Sequence, residues 1–557
     1  MAIDRTASQI ITTLDERVRA RIPLMAVVTH EEQRFLRIVQ ALKRYVDPIT
    51  GGRRHQDKVL YVWSRTRGMR KVDPDGNTVM EYQDTSDPMG ALEFIEKLGS
   101  HDGPADETAR GLFVLCDFAQ YLEPYAGQQE HVPIRALREL AWAIQARHIN
   151  VFVVGAVFPD ILDLEKEVHT IDLPLPNDDE LAALLDRALE EFADTFPGKE
   201  RVSGDRATYE KLVGAMVGLT ENEAEAALNI AFIRNGCMDA QAIPVVLEQK
   251  REAIRRSGSL EFVEPQPLQN FGGYERIIEL VKGAAATFMP EAKAFGIEPH
   301  KGFLLLGPPG CGKSYLMQII SGVTSRALLR MSLAAVMGEG GGIVGQSWAS
   351  ARRALQLADA LQPVLGIDEY EKGAGGVESS GRSDAGETAR AMGYLLTWQA
   401  EQQGTMVVAT ANDVRQLRPE QIREGRFGAK IWVGLPEHED RKKIFGVHLQ
   451  KRGRAPGQFS LDKLAEMSER FSGAEIEQAV KNALLYAFMD GGGERGLSPA
   501  DLERGIKDIT PTGLVNKKEI DDLERWAEEK LGAVSASSKE LSLTGQRPGS
   551  IAAIEVA

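Results

Sequence analysis

Eight residues in the second half of the chain, GPPGCGKS, have the make-up of a loop that holds phosphate. They are Gly307, Pro308, Pro309, Gly310, Cys311, Gly312, Lys313 and Ser314. The glycines let backbone N–H groups turn towards β- and γ-phosphates, helped by the N-terminus of the helix that follows. Lys313 would neutralise phosphate charge and Ser314 would ligate Mg²⁺. The loop stands between an apolar strand, GFLLL, and a helical pattern, YLMQIISG, which is the context such a loop requires. Further on, the buried strand of PVLGIDE ends on Asp368, placed to hold the magnesium through water, with Glu369 beside it to orient an attacking water. Asn412, at the end of MVVATAN, stands where its amide would position that water near the γ-phosphate.

The first half carries a damaged version of the same device. FVLCDF, Phe113 to Phe118, is an apolar strand ending on Asp117, with Phe118 where the water-orienting glutamate is expected. After LMAVV the phosphate-loop position reads THEEQR, with neither glycine nor lysine, and about Phe158 stands where the second half has Asn412. The expectation is a domain that kept the fold and lost the chemistry. Cys311 sits at a helix N-terminus, which can lower a thiol pKa. A small permissive residue is the better reading there, redox control the other.

These residues need strands to carry them and helices to cover the strands. IPLMAVVTH, KVLYVW, GLFVLCDF and NVFVVGAVF read as buried strands between helical patterns, which predicts a mostly parallel sheet. Helices dominate from Asp178 to about Gly258, and the order then recurs with GFLLLG, ALLRMS, PVLGID, TMVVAT and KIWVG. IDLPLPNDDELAALLDRAL parallels IWVGLPEHEDRKKIFGVHL, and GLTENEAEAAL parallels FSGAEIEQAV. With FVLCDF against VLGIDE, the pairs favour internal duplication over two unrelated α/β domains. SLEFVEPQPLQN reads as the linker. The fold class is thus α/β: a P-loop NTPase module with a helical lid, preceded by a degenerate ATPase-like α/β domain with its own lid. The expected boundaries are 1–195 and 196–258 for the first domain and its lid, 259–435 and 436–532 for the second, and a disordered tail over 533–557.

A chain of 557 residues with 43% hydrophobic and 26% charged content has the make-up of a soluble globular protein of two or three domains. Its net charge of −15 argues against a sequence-independent grip on nucleic acid. The apolar runs are strand-sized and MAIDRTASQI has no signal core, so no membrane segment and a cytoplasmic location are expected. Three cysteines are too few and too scattered for a disulfide framework or a zinc site, and no HExxH occurs.

From about Leu268 to Leu531 the chain resembles the AAA+ ATPases, with GPPGCGKS as Walker A and VLGIDE as Walker B. The resemblance implies ATP and Mg²⁺ as cofactors and makes Asn412 the sensor-1 residue. Phe271 to Gly273 matches the adenine-contacting segment, which carries over Gly272 and Gly273. REGRFG implies that Arg423 and Arg426 are arginine fingers reaching into a neighbouring subunit, and SGAE that Gly473 and Ala474 lie near the nucleotide. GETARAMGYLLTWQAEQ and IDDLERWAEEKL, with the N-terminal half, are similar to the plastid and cyanobacterial-type AAA ATPases.

The function so implied is an ATP-hydrolysing ring, a homo-oligomer and by resemblance a hexamer, that remodels or disassembles an unidentified protein partner. The alternative is a nucleotide-switched scaffold that assembles with ATP without threading a substrate. Glu369, Asn412, Arg423 and Arg426 favour the first, because a pure switch needs no rapid turnover. MGEGGGIVGQS, Met337 to Ser347, falls where the resembled family has its pore loop, yet it offers Ile343, Val344 and Gly345 in place of an aromatic, an aliphatic and a glycine. A surface loop with no pore role is the other reading. KGAGGVESSGRSDAGE is a second candidate for the pore.

Overall fold

The computed structural model describes residues 5–46, 55, 57–98, 110–122, 132–156, 158–159, 161–195, 206–256, 258–333, 346–372, 384–402, 404–491 and 496–537. Of the two candidate pore segments, residues 337–345 of Met337 to Ser347 and residues 373–383 of the second, 372–387, lie outside these residues. The chain forms two compact units, residues 1–258 with 340–361 and residues 259–339 with 362–557.

The first unit begins with α1 (Arg5–Arg19), β1 (Leu24–Val28) and α2 (Glu32–Arg44). It continues through β2 (Val59–Ser64), β3 (Gly68–Val72), β4 (Thr78–Glu81), α3 (Pro88–Lys97), β5 (Arg110–Cys116), α4 (Val132–Ile144), β6 (His148–Gly155) and β7 (Val168–Asp172). Helices α5 (Asp178–Thr195), α6 (Arg206–Met216), α7 (Glu221–Asn235) and α8 (Ala242–Arg256) follow. The strands run β4-β3-β2-β5-β6-β1-β7, with β2, β5, β6, β1 and β7 parallel. Period-two alternation explains the burial of both faces. Tyr61, Trp63, Phe113, Leu115, Val151 and Val153 pack on one side, and Leu60, Val62, Leu112, Val114, Phe152 and Val154 on the other. Leu181, Leu184 and Leu185 of α5 pack with α6–α8. The helical subdomain therefore starts ahead of α5, not at the expected residue 196.

The second unit holds β8 (Leu260–Val263), α9 (Glu275–Ala286), α10 (Pro290–Phe295), β9 (Gly302–Leu306), α11 (Lys313–Thr324) and β10 (Leu328–Met331). Its sheet is completed by β11 (Val364–Ile367), β12 (Met406–Ala411), β13 (Ala429–Trp432) and β14 (Val534–Ser535), in the order β14-β13-β9-β12-β11-β10-β8. The core order β13-β9-β12-β11-β10 repeats β7-β1-β6-β5-β2 strand for strand, all parallel. The recurring order of elements read from three sequence pairs is thus present in the topology.

Two expectations are corrected here. The supposed linker SLEFVE supplies β8, an antiparallel edge strand on β10. The supposed tail continues as β14 on β13, with Ala536 buried and donating its N–H to Trp432 O at 2.8 Å. Residues 538–557 lie outside the described chain. Among the described residues no helix is long and apolar enough to cross a membrane.

Candidate nucleotide site

The parallel strands β9, β11 and β12 bring their C-terminal ends together, the place where open α/β sheets bind ligands. A cavity of about 1060 Å³ lies there. It is lined at one end by Pro309, Gly310, Cys311, Gly312, Lys313, Ser314, Asp368, Glu369 and Asn412. Gly307 holds φ 147°, and a Cβ on it would stand 2.1 Å from Val433 O, so only glycine fits against β13. Lys313 is buried and donates to Gly307 O at 2.7 Å and Pro308 O at 2.9 Å, which folds the loop around its ammonium. Burial lowers its pKa. Ser314 Oγ donates to Asp368 Oδ1 at 2.8 Å, so two hard oxygen ligands already share one spot, the donor set that Mg²⁺ takes.

Thr410 was missed by sequence reasoning. Its hydroxyl donates to the same Asp368 Oδ1 at 3.0 Å and accepts from the Glu369 N–H at 3.1 Å. Glu369 needs that support, because it sits at φ 53°, a left-handed conformation unfavourable to an L residue. The available signal was a lone hydroxyl inside the apolar strand MVVATA. Glu371, also missed, is buried and accepts from the Asn412 N–H at 2.9 Å, fixing the end of β12.

The other end of the cavity is closed by Asn270, Phe271, Gly272 and the lid helices His438–Lys451 and Gly473–Gly491. Gly272 is required by approach: a Cβ there would meet Ile444 N at 2.8 Å. Gly273, at φ 83°, lies against Asp440 and does not line the cavity. Tyr274 N–H donates to Asp440 Oδ1 at 3.0 Å, fastening this segment to the first lid helix. Ala474 N–H donates to Gly310 O at 3.1 Å, so the second lid helix begins on the phosphate loop. Ser472 and Glu475 cap that helix reciprocally. Tyr315, His448, Lys451, Arg452 and Glu477 also line this end and carried no motif by which to find them. Burial pushes the His448 imidazole down to about 4, which leaves it neutral near pH 7.

Arg423 and Arg426 do not line the cavity of their own chain. Arg423 is exposed. Arg426 is half-buried, interacts with Tyr370 and keeps Nη1 buried without a hydrogen-bond partner among the described residues. Cys311 is buried and its thiol is pushed up to about 12 by that burial. Burial thus outweighs the helix N-terminus at this thiol, which favours the permissive-residue reading.

The first unit's counterpart site shows what was lost, and shifts the sequence alignment. Thr29 N–H donates to Gly155 O, and Gly307 N–H donates to Ala411 O, so Gly155 corresponds to Ala411. Counting back one residue, Val154 corresponds to Thr410. Cys116 pairs with Val154, and Ile367 pairs with Ala409, which sets Asp368 opposite Thr410. Cys116 therefore stands in the place of Asp368, and Asp117 in that of Glu369. The backbone agrees, since Asp117 and Glu369 have φ of 55° and 53°. Phe118 thus matches Tyr370, not the glutamate, and Ala156, not Phe158, matches Asn412. The expected equivalence failed because it was anchored on the shared aspartate, whereas the ladder is offset by one. The loop after β1 has three residues, Thr29 to Glu31, against six in Gly307 to Gly312. The helix after it opens with Glu32 where the second unit has Lys313.

A β-strand, a glycine-rich loop and a helix, with acids on the adjoining strand end and a helical lid above, define a P-loop NTPase. Residues 303–435 match the ATPase family associated with various cellular activities (AAA), and residues 458–504 match the AAA+ lid domain. Residues 10–173 match the SpoVK-like AAA ATPase N-terminal domain and residues 179–257 the second domain of the same proteins. The chain thus carries an AAA ATPase domain and an AAA+ lid domain behind SpoVK-like N-terminal domains. Its relatives include the uncharacterized AAA domain-containing protein ycf46 of Guillardia theta, 28% identical over 92% of this chain and 93% of that protein. The protein of the same name from Pyropia yezoensis is 28% identical over 92% of this chain and 96% of its own length. A proteasome-activating nucleotidase of Sulfurisphaera tokodaii is 34% identical over 39% of this chain and 55% of that protein.

Proposed function

We propose that the protein is an ATP-hydrolysing, homo-oligomeric ring, a hexamer, that remodels or disassembles a protein partner in the cytoplasm. The observation that carries the reading is the convergence of Lys313, Ser314, Asp368, Glu369 and Asn412 on one cavity that the lid residues Gly473 and Ala474 also line. Lys313 binds and neutralises the phosphates, and Asn412 and Glu369 hold the attacking water. Mg²⁺, held by Ser314 and Asp368, would supply charge neutralisation of the phosphates. The exposed Arg423 supports catalysis across a subunit interface, with Arg426 beside it in sequence. A protein partner fits the net charge of −15 better than nucleic acid does, and it fits the relatives named for activating proteasomes.

The test mixes Arg423→Ala subunits, whose phosphate loop is intact, with Lys313→Ala subunits, whose arginines are intact. Neither hydrolyses ATP well alone, and mixed rings regain activity because some good loops then face good arginines. An arginine supplied in trans contributes on the order of 10³–10⁵ in rate. If the two variants co-assemble and mixing restores nothing, the interfacial site is refuted and the nucleotide-switched scaffold is favoured.

A further inference from the structure

In the second unit, the phosphate loop and the lid face each other across the nucleotide cavity. In the first unit, the same position is crossed by side chains. Glu31, the last residue of the shortened loop, accepts the Glu221 N–H at the start of α7 on Oε1 at 2.6 Å. Its other oxygen takes Arg34 Nη1 at 2.9 Å. Arg34, on α2, also clasps Glu180 of α5 with both forks, Nε to Oε1 at 3.1 Å and Nη2 to Oε2 at 2.8 Å. It donates a further bond to Pro174 O at 2.5 Å. The Arg34 and Glu31 side chains are each only 6% exposed, so this is a desolvated network and not a surface pair.

The members occupy telling positions. Helix α7 opens with the Thr220–Glu223 capping box, as the second lid helix opens with Ser472–Glu475. Glu180 follows its Leu-Pro turn as Asp440 follows the other. Helices α5 and α7 are thus the first unit's lid helices, and α2 is its phosphate-loop helix. Arg37 and Arg187 add ion pairs to Glu221.

We propose that Glu31 and Arg34 are a built-in substitute for nucleotide. The Glu31 carboxylate takes an N–H at the lid-helix terminus as a phosphate would. Arg34 neutralises that carboxylate and ties it to α5. The lid of the first unit is then locked to its sheet permanently, and it neither needs ATP to close nor opens on hydrolysis.

Hydrogen–deuterium exchange on the full-length chain, with and without Mg-ATP, tests this. Amides of residues 219–226 should be unaffected by Mg-ATP in the wild type. In Arg34→Met they should exchange at least about tenfold faster, because the abandoned carboxylates no longer hold α7, while strands β1 and β6 keep their protection. Exchange at 219–226 within twofold of wild type would overturn the proposal. Should Arg34→Met expose β1 and β6 as well, Glu31→Gln decides. It keeps one acceptor for the Glu221 N–H and removes the charge together with the second acceptor that takes Arg34 Nη1, so faster exchange confined to 219–226 supports the lock and unchanged exchange refutes it. A slowing of 219–226 by Mg-ATP that persists in Lys313→Ala would show a bound nucleotide doing this work, and would also overturn the idea.

Discussion

Replacing Thr410 by Val tests whether the acids of the second unit are positioned or merely present. Valine has the shape of threonine, and the site is buried, so packing changes little. What is lost is one hydroxyl with two duties: its bond to Asp368 Oδ1 at 3.0 Å and its acceptance of the Glu369 N–H at 3.1 Å. Asp368 keeps Ser314 as a donor. Glu369 loses a partner that holds it at φ 53°, a conformation that costs an L residue roughly 1–2 kcal/mol. A hydrogen bond to a charged group contributes about 1.5–3 kcal/mol, and an orphaned N–H costs a comparable amount. Taking about 2 kcal/mol as the loss of water positioning, kcat should fall about 30-fold. Lys313 is bonded to Gly307 and Pro308 and does not touch Thr410, so ATP affinity should stay within about threefold. Phosphate release at saturating ATP, with titration of a fluorescent ATP analogue, measures both, and Thr410→Ser should restore turnover. Full turnover in Thr410→Val, or a loss confined to affinity, would refute this account.

Lys313→Ala should abolish ATP binding by the full-length chain, and calorimetry should find no residual site, since the first unit presents Glu32 where the lysine stands. Glu369→Gln should bind ATP and lose phosphate release. Cys311 should resist iodoacetamide at pH 8: a thiol raised to about 12 is protonated throughout the range below it, leaving thiolate in about one molecule in 10⁴. Rapid labelling of Cys311 in the folded protein would contradict this, and would reopen redox control.

Most of the second unit was legible because its chemistry is written in contiguous words. GPPGCGKS, IDE and AND each sit at a strand end, and a strand end is where an apolar run stops. The lid was legible from SGAE, which is also a capping box. What escaped lies in pairing. Strands β3 and β4 follow β2 as antiparallel ribbons with an exposed β4, so no apolar run announces β4. β8 hid among prolines because an edge strand needs few of its residues buried. Thr410 and Glu31 act through backbone partners 41 and 190 residues away, and no local pattern encodes such distances. The one-residue slip at Asp117 has the same origin, because register is a property of the ladder and not of the strand's own letters.

That slip changes which residues set the first unit apart from the second. Phe118 looked like the lost glutamate, but it occupies a core position. It is fully buried, edge-on to Trp63 at 5.4 Å and to Tyr121 at 6.0 Å, just as its counterpart Tyr370 is fully buried and edge-on to Phe427. An aromatic residue there supports the strand end in both units, so it marks a shared packing position and not a lost catalytic one. The differences that matter lie in the shortened loop, in Glu32, and in Cys116, whose thiol burial raises to about 12 and so keeps from being an anionic ligand. Phe118→Glu, the substitution that a sequence-level repair suggests, should therefore not create an ATPase. It removes a packed ring and buries an unpaired carboxylate, costing on the order of 4 kcal/mol or more. Thermal unfolding followed by hydrogen–deuterium exchange of β2 and β5 should show the first unit melting early. A variant as stable as wild type that hydrolyses ATP in the Lys313→Ala background would show that Phe118 had been the catalytic position after all.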